Sequence, residues 1–504
     1  MMEATVIKRD MMQRKTIYEG RVEIGIESDI VLPDYCGDIE RILRCSIVPR
    51  LSSKQAEGQR LSVSAVGFLR MVYLTPDGRV ESFETQIPFS KTVDMQNSGE
   101  RMSVNVSLCT DYSNCRAISA RRFEVRAAVL MKAKVKSLCP ASVVVDVSDD
   151  NIELRKTKID AIVPVCSSSE CFTVMEEYEL SGAPISSVVR MTANSSVSEY
   201  KIISGKIIMK GQVALTVVYL AEESDDAQSV SYTIPVNQVI TAEGAEEGDN
   251  AEIRLSISRM SAEPARRGDN NEVIIEVLLE ACVDVSRNEE IETITDAYCV
   301  GYESKCSRTQ IPFTVVEQTA SKMHTVLVSP EIEGSEIIDV FADTKNVAAK
   351  VNEHGEVMLS ADVNVGVLCK GGEGEPFVKE KMLPVEFSVA ADPSFNGAAL
   401  DGEITVLSAQ RSGNRNDISV NLSGVCHIVK NVDMPLVTGV EIHSDSPIVG
   451  DPKTAMTIYF AAAGEDTFDI AKRYNTSARA VMEQNELSEP IIPSERTILI
   501  PMVR

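Results

Sequence analysis

The 504-residue chain has no tryptophan, only four histidines, and 5% aromatic residues in all. So few aromatics weigh against a secreted carbohydrate-active enzyme built on stacking platforms. His324, His354, His427 and His443 have no second ligand-type residue at metal spacing, so each reads as a surface or loop histidine and no metal is expected. There is no Gly-x-Ser-x-Gly elbow. The glycine cluster Lys370-Gly371-Gly372-Glu373-Gly374-Glu375 lacks the Lys-Ser/Thr that completes a phosphate loop and reads as a hairpin turn. Basic runs are also missing, and the formal charge is −25, which opposes nucleic acid and anionic membrane surfaces alike. Acidic runs such as Glu222-Glu223-Ser224-Asp225-Asp226 read as solvated turns. No stretch approaches the ~20 apolar residues of a membrane span, and Met1 to Asp10 has no apolar signal core, so a cytoplasmic location is expected. Twelve cysteines occur without a C-x-x-C, which reads as buried or idle thiols, with oxidative cross-linking as the other reading. These gaps together predict a protein that is not an enzyme and carries no cofactor.

What is present is repetition. Val63, Ala65, Gly67, Leu69, Met71 and Tyr73 alternate at the period of a strand. Gly211, Val213, Leu215, Val217 and Tyr219 do the same, as do Val357, Leu359, Ala361, Val363, Val365, Val367 and Cys369. Each run is followed by a proline strand: Ile87-Pro88-Phe89, Ile234-Pro235-Val236 and Leu383-Pro384-Val385. From Tyr73 to Pro88, Tyr219 to Pro235 and Cys369 to Pro384 the gap is 15 or 16 residues. Further alternating runs begin at Phe123, Val273 and Ile418, while Ile39 to Arg44, Ile185 to Arg190 and Glu336 to Val340 precede the hairpins. A period of roughly 150 residues is too long for a solenoid unit, so each copy is expected to be a domain.

Each copy reads as a short lead-in strand and an amphipathic segment, a long hairpin and two further strands. The expected fold is therefore mainly β, with three tandem antiparallel β-sandwich or barrel-like domains at 1–165, 166–318 and 319–440. The fixed proline suits an edge strand, where its missing N–H costs no ladder bond. Such edges also make a homo-oligomer by strand addition an expectation. Residues 441–456, with Pro447, Gly450 and Pro452, read as a linker.

Residues 457–504 have a different pattern. Thr457-Ile458-Tyr459-Phe460 is a β-favouring run, and Asp466 can cap a helix whose inner face carries Phe468, Ala471 and Tyr474. Ser477 can cap a second helix with Val481 and Met482 inward and Asn485 as its stop, and Thr497 to Pro501 closes as a strand. Ile470, Tyr474, Val481 and Leu499 read as core. The string Gly464-Glu465-Asp466-Thr467-Phe468-Asp469-Ile470-Ala471-Lys472-Arg473-Tyr474-Asn475-Thr476, with Asn485, Leu487 and Leu499-Ile500-Pro501, resembles a LysM domain, a small βααβ module. That resemblance implies N-acetylglucosamine binding between two loops, with Gly464, Glu465, Asp466, Thr467, Asn485, Leu487, Ile491 and Ile492 as the binding residues. This chain has Ala463 and Pro493-Ser494 where the family usually has proline and Pro-Gly. A groove that needs close backbone approach loses by such a change, which weighs toward a protein docking on these loops or on the face of Lys472, Arg473 and Arg479.

The first copy carries a second resemblance. Val31-Leu32-Pro33-Asp34, Asp38-Ile39-Glu40-Arg41-Ile42-Leu43, Val72-Tyr73 and Ile87-Pro88-Phe89 are similar to the SPOCS repeat of spore-coat proteins. SPOCS repeats ahead of one LysM domain resemble the layout of SipL-type spore-coat morphogenesis proteins. That implies a scaffold in the mother-cell cytoplasm whose LysM module binds a coat ATPase of the SpoIVA type and helps seat the coat on the forespore. The alternative is a cell-wall-associated protein that binds peptidoglycan.

Overall fold

The computed structural model describes residues 2–99, 101–149, 151–179, 185–221, 227–264, 272–332, 336–372, 374–412, 417–448 and 456–502. The acidic run at 222–226 and residues 449–455 of the expected linker, including Gly450 and Pro452, lie outside the described residues, and 441–447 of that linker belong to the last strand of the third unit. Strands dominate, arranged as several small antiparallel sheets. After β1 (Met2–Glu3), a first unit comprises β2 (Val6–Val31), β3 (Arg41–Glu57), β4 (Arg60–Leu74), β5 (Val80–Asp94), β6 (Met102–Ser119) and β7 (Arg122–Val147). A second comprises β8 (Ile152–Glu179), β9 (Ile185–Ile203), β10 (Lys206–Ala221), β11 (Ala227–Thr241), β12 (Asn250–Pro264) and β13 (Glu272–Cys299). The third comprises β14 (Tyr302–Val328), β15 (Glu336–Val351), β16 (Glu356–Lys370), β17 (Pro376–Ala391), β18 (Ala399–Ser412) and β19 (Asp417–Pro447). The chain ends in β20 (Met456–Ala461), α1 (Thr467–Tyr474), α2 (Ala478–Gln484) and β21 (Arg496–Pro501).

One topology recurs three times. The second, third and fourth strands of each unit form one sheet, with β4, β10 and β16 in the centre. The first, sixth and fifth strands form the other, with β7, β13 and β19 in the centre. In the second unit, Val213, Leu215 and Val217 of one sheet share a buried cluster with Val273, Ile275 and Val277 of the other. In the third, Val363 and Val365 meet Ile418 and Val420 in the same way. A pleated strand with one face inward buries every second residue, which is why the alternation in these central strands is so regular. The prolines fall on β5, β11 and β17, each of which has a single strand neighbour; Pro88 pairs with Val66, Pro235 with Gln212 and Pro384 with Asp362.

The lead-in strands are far longer than expected. β2, β8 and β14 contain 26, 28 and 27 residues, and each pairs along its length with the last strand of its unit. Register shifts interrupt them, at Thr16/Tyr18 in β2 and Thr314/Val316 in β14. A bulge resets which residues face inward, so no single alternation marks these strands in the sequence. The segments read as amphipathic lead-ins deliver instead into β3, β9 and β15. Strand β8 also runs unbroken through 165/166 and β14 through 318/319, where the sequence reading put domain boundaries; one unit's last strand ends at Val147 before the next begins at Ile152, and the next pair is Cys299 and Tyr302.

The far ends of the three long hairpins meet one another. Val144 and Val147 of the first unit, Ile294 and Ala297 of the second and Val437 and Val440 of the third form one buried cluster, with Ala4 beside them. Farther along the strands from this hub, the contacts between units are ionic. Arg14 of β2, 8% exposed, lies 2.8 Å from Glu317 of the third unit and 3.7 Å from Asp284 of the second. Lys54 pairs with Glu280 at 3.2 Å, and Lys132 pairs with Asp401. Stacking adds to this: a Cβ at Gly366 would fall 2.0 Å from the Phe341 ring, so only glycine admits that ring, and Arg44 of the first unit lies 3.3 Å over it.

Two expectations are corrected here. His427 is not a surface or loop residue: on β19 its Nδ1 faces Thr319 Oγ1 at 2.7 Å and Glu252 of the second unit at 3.1 Å. Burial lowers its pKa, while Glu252 pulls the other way. Its surroundings come from another unit, so nothing near it in sequence marks it. Cys45 and Cys115, 70 residues apart, are not idle thiols but a disulfide between β3 and β6. Those strands run side by side, where Thr110 donates to the Ile47 carbonyl at 2.6 Å and Ser113 to that of Cys45 at 3.2 Å.

Leu359 is fully buried in the third unit between its two sheets. Leu359→Ala is expected to cost about 2–5 kcal/mol. The measurement is a urea unfolding curve; a loss below about 1 kcal/mol would show that this cluster is not a packed core.

Candidate functional site

The strongest local signals in 456–502 are its caps. The Asp466 carboxylate accepts the Phe468 N–H at 2.9 Å and the Ser477 hydroxyl accepts the Ala480 N–H at 3.4 Å, starting α1 and α2. Asn475 ends α1 in the left-handed region, φ 49°, a conformation that asparagine tolerates better than most residues. β20 and β21 pair antiparallel, and Phe468, Ile470, Ala471, Val481, Ile498 and Ile500 are buried under them. Ile470 and Val481 are thus core, while Tyr474 and Leu499 are only half-buried.

The eight expected binding residues come together, but mostly as structure. Their two loops are joined by backbone bonds: Gly464 N–H to the Ile492 carbonyl, Ile492 N–H to that of Glu465 and Thr467 N–H to that of Pro490, each 2.8 Å. Asp466 and Ile491 form a β-bridge. Thr467, Asn485 and Ile492 are buried, and Leu487 is half-buried against the core. Asn485 donates to the Val481 and Leu499 carbonyls and accepts from Leu499 N–H, all at 2.7 Å. Glu465 accepts from Ala462 N–H at 2.9 Å and from the Tyr459 hydroxyl at 2.8 Å; these bonds, in that order, lower its pKa. Of the eight, Gly464 and Ile491 face outward. Beside them Ile458 and Phe460 on β20 are 63% and 79% exposed.

Sequence reasoning missed where the module sits. It packs on the β13–β14 turn of the preceding units, and Tyr298 and Val300 belong to its hydrophobic cluster. The Tyr298 hydroxyl donates to the Thr476 carbonyl at 2.7 Å, and its ring meets Phe468 edge-on at 5.1 Å. Asn475 accepts from Gly301 N–H at 2.6 Å and donates to the Cys299 carbonyl at 3.2 Å. Lys472 reaches both oxygens of Asp296, at 2.8 and 2.7 Å, with Arg308 on the same carboxylate. Arg155 of β8 approaches Asp466 and Asp469. Of the basic face weighed as a docking surface, Lys472 is therefore engaged within the chain, Arg473 donates to the Tyr459 hydroxyl at 2.9 Å and Arg479 pairs with Glu483 at 2.6 Å. The partners of Asn475 and Thr476 lie 174 to 178 residues earlier in the chain, so nothing local marks the seat.

Among the described residues no group of three or more His, Cys, Asp or Glu is placed to hold a metal, and no helix is long and apolar enough to cross a membrane.

Residues 38–118 and 184–264 each match the family model of the SipL SPOCS domain. Both stretches are SPOCS domains of the SipL type. They fall on the same part of their units: the first covers β3 to β6 and the second β9 to β12. The SPOCS match leaves out the long first and last strands, which build the hub. The equivalent strands of the third unit, β15 to β18, repeat the SPOCS topology outside the matched residues. No curated protein and no solved structure matches the chain significantly.

The seat should depend on pH through Asp296. Burial raises the pKa of this carboxyl, but the hydrogen bond and charge of Lys472, then those of Arg308, outweigh it and hold the group below its usual value of 3.8. A carboxylate depressed on folding contributes stability that is complete above its unfolded pKa and is lost as pH falls through the folded one. Amide exchange at Gly301 is therefore expected to be constant from neutral pH to about pH 5, once corrected for intrinsic rates, and to accelerate below about pH 4. Asp296→Asn should weaken protection at neutral pH and remove the acid transition; an unchanged transition in that variant would exclude Asp296 as its source.

Proposed function

We propose that this chain is a non-enzymatic spore-coat morphogenesis scaffold. In this reading the three six-stranded units are tandem β-sandwich-type domains, the third a divergent SPOCS copy, and the βααβ module is a LysM domain turned to protein binding. The module engages a coat ATPase of the SpoIVA type and helps anchor the coat at the forespore, from the mother-cell cytoplasm. The observation that carries the reading is the pair of SPOCS matches, on equivalent strands of two units whose topology recurs in a third. Two facts favour a protein over a glycan at the module. Its two loops are bonded to each other, leaving Gly464 and Ile491 as the outward pair of the eight residues, and the adjacent surface at Ile458 and Phe460 is apolar. An exposed apolar patch of this kind suits a protein surface.

The test is co-purification of the full chain on two baits, an immobilised coat ATPase and purified peptidoglycan. Retention by the ATPase and not by peptidoglycan is expected. Retention by peptidoglycan alone would replace the scaffold reading with that of a cell-wall-associated protein.

A further inference from the structure

Arg155 reaches from β8 into the helical module and is held there by three groups. Its Nη2 lies 2.7 Å from Asp469 Oδ1 and 3.1 Å from Asp466 Oδ2, and its guanidinium carbon is 4.5 Å from the centre of the Phe468 ring. Two carboxylates beside an aromatic face suit a guanidinium better than an ammonium, because the planar group both stacks and pairs. The fit is incomplete, however. Arg155 Nε and Nη2 are buried but not aligned for a hydrogen bond. Charge and stacking therefore hold the side chain without the fork of paired hydrogen bonds that makes arginine–carboxylate contacts tight. Thr467, between Asp466 and Phe468, is 1% exposed and its hydroxyl has no partner. A buried polar group left so weakens the loop that carries these contacts. The rest of the seat uses other atoms, through Tyr298, Asp296 and Asn475. Withdrawing Arg155 would break none of those contacts.

We propose that Asp466, Phe468 and Asp469 form an arginine-recognition site, that Arg155 occupies it as a built-in competitor, and that an arginine-bearing segment of a partner protein displaces it. The proposal rests on reading the module as the partner-binding element, and it adds the chemistry of the partner and the means by which binding is restrained. A competitor on the same chain lowers apparent affinity by the fraction of time that the site is open. Removing it raises affinity without adding a contact.

The experiment titrates the full chain with the capped tripeptide Gly-Arg-Gly, following the amide resonances of Phe468 and Asp469. Arg155→Ala is expected to bind this peptide at least about tenfold more tightly than the wild type. Adding Asp469→Asn should return the affinity to the wild-type level or below, and Gly-Lys-Gly should bind the Arg155→Ala chain several-fold more weakly than the arginine peptide. Arg155→Lys, which keeps the charge and gives up the planar stack, serves if the alanine variant disturbs folding, and is expected to shift affinity in the same direction by less. Equal affinity in wild-type and Arg155 variants, indifference to Asp469→Asn, or no binding to any of them would overturn the proposal. The co-purification result is independent: a chain that ignores the coat ATPase yet gains arginine affinity on losing Arg155 has this site and a different partner.

Discussion

Everything in this molecule depends on the pairing of the first strand of each unit with its last. The two partners are separated by the whole unit, so closing them costs chain entropy that local contacts cannot offset. What repays it is burial on both sides of the ribbon. Toward the sheets, Phe123, Val125 and Val129 of β7 pack against β3 to β5; toward the hub, Val144 and Val147 of the same strand meet the other two units. One strand thus serves a private core and a shared one. Folding that waits on such distant pairing is expected to be slow, and the hub cannot form until all three ribbons have closed.

This division explains what was legible in the sequence. The strands β10 and β16 each face one core along their length, and β4 turns the same side to two clusters in succession; their strict alternation gave away both their type and the threefold repeat. Long ribbons are different. β2 shifts register near Ile17, and none of Val6 to Thr16 is fully buried, so that stretch shows no clean period. The ion pairs between units were invisible for a further reason: Arg14, Asp284 and Glu317 become neighbours only after three units assemble, and a charge in an acidic chain looks solvated until its partner is known. Buried ion pairs of this sort are weak evidence for stability but costly to halve.

The helical module shows the same contrast within about 45 residues. Asp466, Ser477 and Asn485 announced themselves because capping is local chemistry, read three or four residues away. The seat did not, since Lys472 and Asn475 look like ordinary surface residues of a small helix. Once Asp296, Cys299 and Gly301 are placed opposite them, they become the contacts that orient the module. Asp466 has two roles, capping α1 and facing Arg155, so a residue expected to bind a ligand is first a structural one. That overlap arises because a helix start concentrates short acidic side chains at a loop, where any neighbouring cation will find them.

The repeated edge proline bears on how such a chain assembles with others. β5, β11 and β17 each have one strand neighbour, and an open edge is a template for another chain's strand. A proline is tolerated on such a strand where no neighbour needs its N–H, and that missing donor is then missing from the free row as well. Three units carrying the device at Pro88, Pro235 and Pro384 are each less able to extend their sheets by strand addition. The first and last strands are already committed to the hub and to each other. Side-chain surface is available elsewhere: the outward strand of the helical module exposes the apolar Ile458 and Phe460. Side-chain surfaces of this kind discriminate between neighbours where a bare strand edge does not.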